Sequence, residues 1–105
     1  MPMFNTIEVE HATTLTIPFQ FVQADGITAR NVSGGVVTFT VFAADGVTPL
    51  FPAKTASPGA TTDTQNVLLS LTDTTRSEGS YYAELQYVNG TETLRWHGTF
   101  RIVGV

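Results

Sequence analysis

The chain contains no cysteine. Disulfides and thiolate metal sites are therefore excluded, and apolar burial has to hold the fold together. Charge is also scarce, at 13% of 105 residues, and the five cations are scattered as Arg30, Lys54, Arg76, Arg95 and Arg101. Attraction to a phosphate backbone needs clustered cations, and a net charge of −4 is the wrong balance for it, so nucleic acid is not an expected partner. No stretch approaches the ~18 to 20 apolar residues that cross a bilayer. The opening MPMFNTIEVEH has no basic segment leading into an apolar one. A soluble, unprocessed product without a membrane partner is the expectation. At this length a single domain over residues 1–105 is predicted.

What the chain does have is alternation. The 42% apolar content excludes a disordered chain, and its period is two, broken by turn dipeptides. A short strand is predicted over 4–10. Another, over 14–22, has Leu15, Ile17, Phe19 and Phe21 on one face; Pro18 points the other way and places this strand at an edge or a bulge. The turn Ala24-Asp25-Gly26 follows, then a strand over 36–43 closed by Ala44-Asp45-Gly46. A weaker strand over 50–56 contains Pro52, a flexible loop runs over 57–62, and a strand over 65–71 turns Val67, Leu69 and Leu71 one way. A crossover at 72–78 leads to a long hairpin, 81–88 and 91–103. No helical period, linker or internal repeat stands out. About seven antiparallel strands with turns roughly every 8 to 12 residues predict an all-β Greek-key β-sandwich.

The densest set of reactive side chains lies in the hairpin. Asn89-Gly90 is a strong turn signal, and it predicts Val88 opposite Thr91, Glu84 opposite Arg95, Ala83 opposite Trp96 and Tyr82 opposite His97. On that register Trp96 is a core residue beside Ala83, whereas Tyr82, Glu84, His97 and Arg95 share a solvated face with a Glu84–Arg95 ion pair. A general base needs a shielding pocket and an oriented partner, and a flat strand face supplies neither. His11 and His97 lack ligand-spaced neighbours, the Asp-Gly turns lack the further oxygens of calcium loops, and Ser33-Gly34-Gly35 lacks a strand-turn-helix elbow. No catalytic residue, metal or cofactor is predicted, and the chain is not expected to be an enzyme.

The stretch Ser77-Glu78-Gly79-Ser80-Tyr81-Tyr82-Ala83 resembles the approach to strand F of immunoglobulin-like domains. There a tyrosine two positions before a cysteine anchors the preceding corner through its hydroxyl. Ala83 stands where that cysteine would be. In order along most of the chain, LTIPFQFVQADG, SGGVVTFTVFAADG, VLLSLTDTT, EGSYYAELQYVNG and TLRWHGTFRIV resemble the small immunoglobulin-like domain at the start of phage baseplate upper proteins and related tail proteins. The resemblance implies an immunoglobulin-like sandwich with a non-enzymatic role in the virion, in baseplate, tail, neck or capsid surface, made in the bacterial host cytoplasm. Other phage structural proteins would be its partners, with copies of itself as a further expectation. The contacts expected are the apolar side chains left over from the core, Phe42, Leu50, Phe51 and Tyr82, with 47–53 as the main patch. A carbohydrate-binding module, stacking sugars on exposed aromatics such as Tyr82, Phe42 or Phe51, is the alternative.

Overall fold

The structure is a computed structural model and describes residues 6–104. Alternating apolar residues give two sheets that close face to face. One has five strands in the order β1 (Ile7–Glu10), β8 (Glu92–Val103), β7 (Gly79–Asn89), β3 (Val36–Phe42) and β4 (Lys54–Thr55). The other has three, β2 (Leu15–Gln20), β6 (Thr64–Leu69) and β5 (Ser57–Pro58). All pairings are antiparallel except that of β1, which lies parallel to β8. Inward residues of both sheets, Ile17, Phe19, Val37, Phe39, Val41, Val67, Leu69, Leu85, Phe100 and Ile102 among them, form one core. Phe39 sits at its centre, its ring 5.5 Å from that of Phe19 across the sheets and 6.1 Å from that of Phe100. The architecture is the immunoglobulin-like Greek-key sandwich, with eight strands among the described residues in place of about seven.

The hairpin register differs from the expected one. Asn89 pairs with Glu92, so the loop is Gly90-Thr91, with Gly90 at φ 59°. A glycine at the first central position is the type II′ solution. Asn89 stays in the strand and donates from its Nδ2 to the Tyr87 hydroxyl at 3.1 Å. Every partner on β8 therefore moves by two residues: Ala83 faces Gly98, Leu85 faces Trp96, Glu84 faces His97, and Arg95 faces Gln86 rather than Glu84. A shift of two leaves each side chain on its original face, so the two faces were read correctly although the pairs were not. Trp96 is half-buried against the core, edge-on to Phe21 at 5.0 Å.

Three further corrections concern strand bounds: two ladders stop early through local chemistry, and one forms where a loop was expected. The strand expected over 50–56 shrinks to Lys54–Thr55, with Pro49 and Pro52 just before it. The chain between them drops Phe51 into the core, 2% exposed and edge-on to Phe100 at 6.0 Å. Ser57–Pro58, expected to be loop, pairs as β5 with Gln65 and Asn66. Leu71 does not continue β6, because Ser70 caps a single helical turn, α1 (Leu71–Thr74), in a capping box with Asp73, and Leu71 is left exposed.

Candidate functional site

Two stretches carry the same motif. Phe19-Gln20-Phe21-Val22-Gln23-Ala24-Asp25-Gly26-Ile27-Thr28 and Phe39-Thr40-Val41-Phe42-Ala43-Ala44-Asp45-Gly46-Val47-Thr48 align without a gap at a spacing of 20 residues. This internal repeat is present in the sequence, but either Asp-Gly turn taken singly gives only a turn signal and does not reveal it. In both, the aspartate Oδ1 accepts from the next two backbone N–H groups but one: Ile27 at 2.9 Å and Thr28 at 2.8 Å for Asp25, Val47 at 2.9 Å and Thr48 at 2.8 Å for Asp45. The Thr28 and Thr48 hydroxyls donate to the Oδ2 atoms. Gly26 and Gly46 take φ of 75° and 71°, values an L side chain resists. The threonine hydroxyl first, then these backbone donors, hold both carboxyls below their ordinary value of 3.8.

The twin loops stand at opposite poles. Arg30, just after the first, pairs with Glu92 at the β7–β8 turn and lies over the Tyr87 ring at 5.8 Å. The second leaves β3 at Phe42, which pairs with Tyr82 at the other end of the sheet. Each tip presents a branched aliphatic side chain, Ile27 86% exposed and Val47 76% exposed. The loops use only the backbone of these two residues, so their apolar character is not demanded by the turn.

Of the four sequence-predicted contacts, the structure brings two together on the outer surface and turns the other two toward the core. Phe42 and Tyr82 do meet, on the outer face of the five-stranded sheet, with ring centroids 5.7 Å apart. Tyr82 also stacks on His97 at 6.0 Å, so its ring lies between rings from the two neighbouring strands. Leu50 packs against the core, and Phe51 is part of it. The patch expected over 47–53 thus keeps Val47 as its large exposed side chain beside Pro49, Pro52 and Ala53, and Phe51 offers no exposed ring to a partner or a sugar. The exposed apolar residues that sequence reasoning missed are Ile27, Val36, Val88, Leu68 and Leu71. Only the fixed registers reveal that Val36 and Val88 are directly paired on the outer face.

One buried charged group lies at the second pole. Asp73 is 3% exposed and accepts from Ser70 N–H at 2.8 Å and from Lys54 Nζ at 2.8 Å. Burial pushes its carboxyl up. The hydrogen bonds from Lys54 and Ser70 and the Lys54 charge outweigh that and leave it below the ordinary value. These bonds, all to Oδ2, tie α1 to β4. Among the described residues no group of His, Asp and Glu is arranged to hold a metal ion, and no helix is long and apolar enough to cross a membrane.

Below the corner, Tyr81 donates its hydroxyl to the Ser77 carbonyl at 2.5 Å. This has the geometry of the tyrosine corner of immunoglobulin-like sandwiches. No protein-family model matches the sequence, and no curated protein matches it. Among solved structures the chain is similar to the titin M3 domain, with a TM-score of 0.55 and 6% identity over 98% of this chain and 93% of that one. It is also similar to the titin immunoglobulin tandem A164-A165, with a TM-score of 0.52 and 15% identity over 97% of this chain and 45% of the tandem. The fold is immunoglobulin-like. At these identities the likeness extends to the fold alone.

Proposed function

We propose that the protein is a non-enzymatic structural component of a phage virion that works through protein-protein contacts. The observation that carries this reading is the ordered series of segments resembling phage baseplate and tail domains, now laid out as one sandwich in which LTIPFQFVQADG and SGGVVTFTVFAADG end in matched loops at opposite poles. The chemistry of the surface supports it. The polar groups in the loops and at α1 bond one another, whereas branched apolar side chains are presented at both ends, as suits recognition by surface. Carbohydrate stacking has less support, since the Tyr82 ring is flanked by Phe42 and His97 and Phe51 is buried. The test is to purify particles from the phage whose genome carries this reading frame and search them by mass spectrometry. Peptides of this chain at a stoichiometric level are expected. Their absence from intact particles, with the protein present in the lysate, overturns the proposal.

A further inference from the structure

A sandwich of two open sheets has four edge strands, here β1, β4, β2 and β5. Each is a potential template for another chain, and three of the four are blunted. In β2, Phe21 N–H donates to Asp63 O at 2.8 Å, so the odd positions face β6 and the even ones face outward. Pro18 therefore stands at an outward position and removes an N–H from the open edge. β5 is two residues long and one of them is Pro58; β4 is also two residues long and follows Pro52 closely.

The exception is β1. It has four residues and no proline. His11 N–H donates to Val103 O at 2.8 Å, which sets the odd positions toward β8 and turns the main chain of Glu8 and Glu10 outward. Glu10 C=O accepts from the Thr13 hydroxyl at 2.7 Å. Among the described residues, that leaves Glu8 N–H, Glu8 C=O and Glu10 N–H directed at the open side. The side chains of Glu8 and Glu10 are both exposed, on the face opposite buried Val9.

We infer that the β1 edge accepts an extended segment of another protein as an added strand, and that this segment carries lysine or arginine at alternate positions facing Glu8 and Glu10. Charge selects this occupant. A second copy of this chain, paired edge to edge about a two-fold axis, would set the glutamates of one β1 against those of the other, and like charges directly opposite destabilise a pairing. Alternate cations match them, and among the described residues a cation near Glu8 competes with Arg101, whose exposed contact there is 3.8 Å. The inference deepens the proposed virion role by naming the chemistry of the docked partner, and it rests on that reading for where the partner is found.

The probe is a short peptide of alternating lysine and valine, titrated into the whole chain, with backbone amides followed by NMR. The expected result is protection of the Glu8 and Glu10 amides, with an otherwise identical peptide bearing glutamate for lysine binding at least about tenfold more weakly. Glu8→Pro copies the Pro18 arrangement and should abolish protection at Glu10. Glu8→Lys with Glu10→Lys keeps the backbone donors and should reverse the preference between the two peptides. Protection at β2, β4 or β5 instead, no response at Glu8 and Glu10, or equal binding of the two peptides overturns the inference. Because the titration uses no particle, its failure leaves the virion assignment to be judged separately by the particle proteome.

Discussion

Phe19–Thr28 and Phe39–Thr48 are nearly the same sentence written twice, yet one begins in an edge strand and the other in the interior of a sheet. Their loops fold alike because the determinants are local: an aspartate that captures nearby N–H groups, a glycine at positive φ, and a threonine that returns a hydroxyl. Their strands differ because neighbours differ. Thr38 pairs with Gln86 on one side and Thr55 on the other, whereas the matching Pro18 has Asn66 on one side and an open edge on the other. The second residue after each motif diverges in the same way. Arg30 reaches Glu92 and covers Tyr87 at one pole, while Leu50 packs against the core near the other. Local sequence thus fixes a turn, and the sheet around it decides which substitutions the strand tolerates.

The comparison can be broken hardest at the two core rings. Phe39→Ala should cost about 3 to 5 kcal/mol in a denaturant melt, with Phe19→Ala nearer the lower value because its cavity opens closer to solvent; Phe39 is fully buried and Phe19 is 8% exposed. Equal losses at the two would mean that the central and edge strands contribute alike. A sharper contrast comes one residue earlier. The odd positions of β3 face β4, as the Val37 and Val41 carbonyls accept from Ala56 and Leu50, so Thr38 N–H belongs to the β7 ladder. Thr38→Pro should destabilise by about 3 kcal/mol, whereas Pro18→Thr should stay within about 0.5 kcal/mol and open the β2 edge to added strands.

Acid should affect both loops together. The folded carboxyls of Asp25 and Asp45 lie below 3.8, so the stabilisation they give is complete above the ordinary carboxyl range and is lost as pH falls through the folded values. Hydrogen exchange at the Ile27, Thr28, Val47 and Thr48 amides, corrected for intrinsic rate, should accelerate at both poles over the same interval below about pH 4. Asp45→Ala should remove the response at the second pole and leave the first unchanged. The smallest effect is expected at the tips: Ile27→Ser and Val47→Ser should each alter stability by no more than about 0.5 kcal/mol, read by thermal melting. A larger loss would show that the tips pack against their own domain instead of being presented.

The sequence by itself determined the class of fold, the inward faces of β2, β3, β6, β7 and β8, and the two Asp-Gly turns, because alternation and turn chemistry act over a few residues. The Tyr81 hydroxyl bond to the Ser77 carbonyl is local too, but the alternation showed only that Tyr81 faces inward, and the bond itself came from the structure. The twin loops were legible as a repeat, but not their opposite poles. Tertiary structure alone decided the hairpin pairs, where Gly90-Thr91 turned the chain while Asn89 bonded Tyr87. It alone buried Phe51, which sits between prolines where no period can be read. It also decided which edges stay open: a proline reveals that a strand lacks a donor, but only the neighbouring strand shows whether the missing donor faced a partner or water.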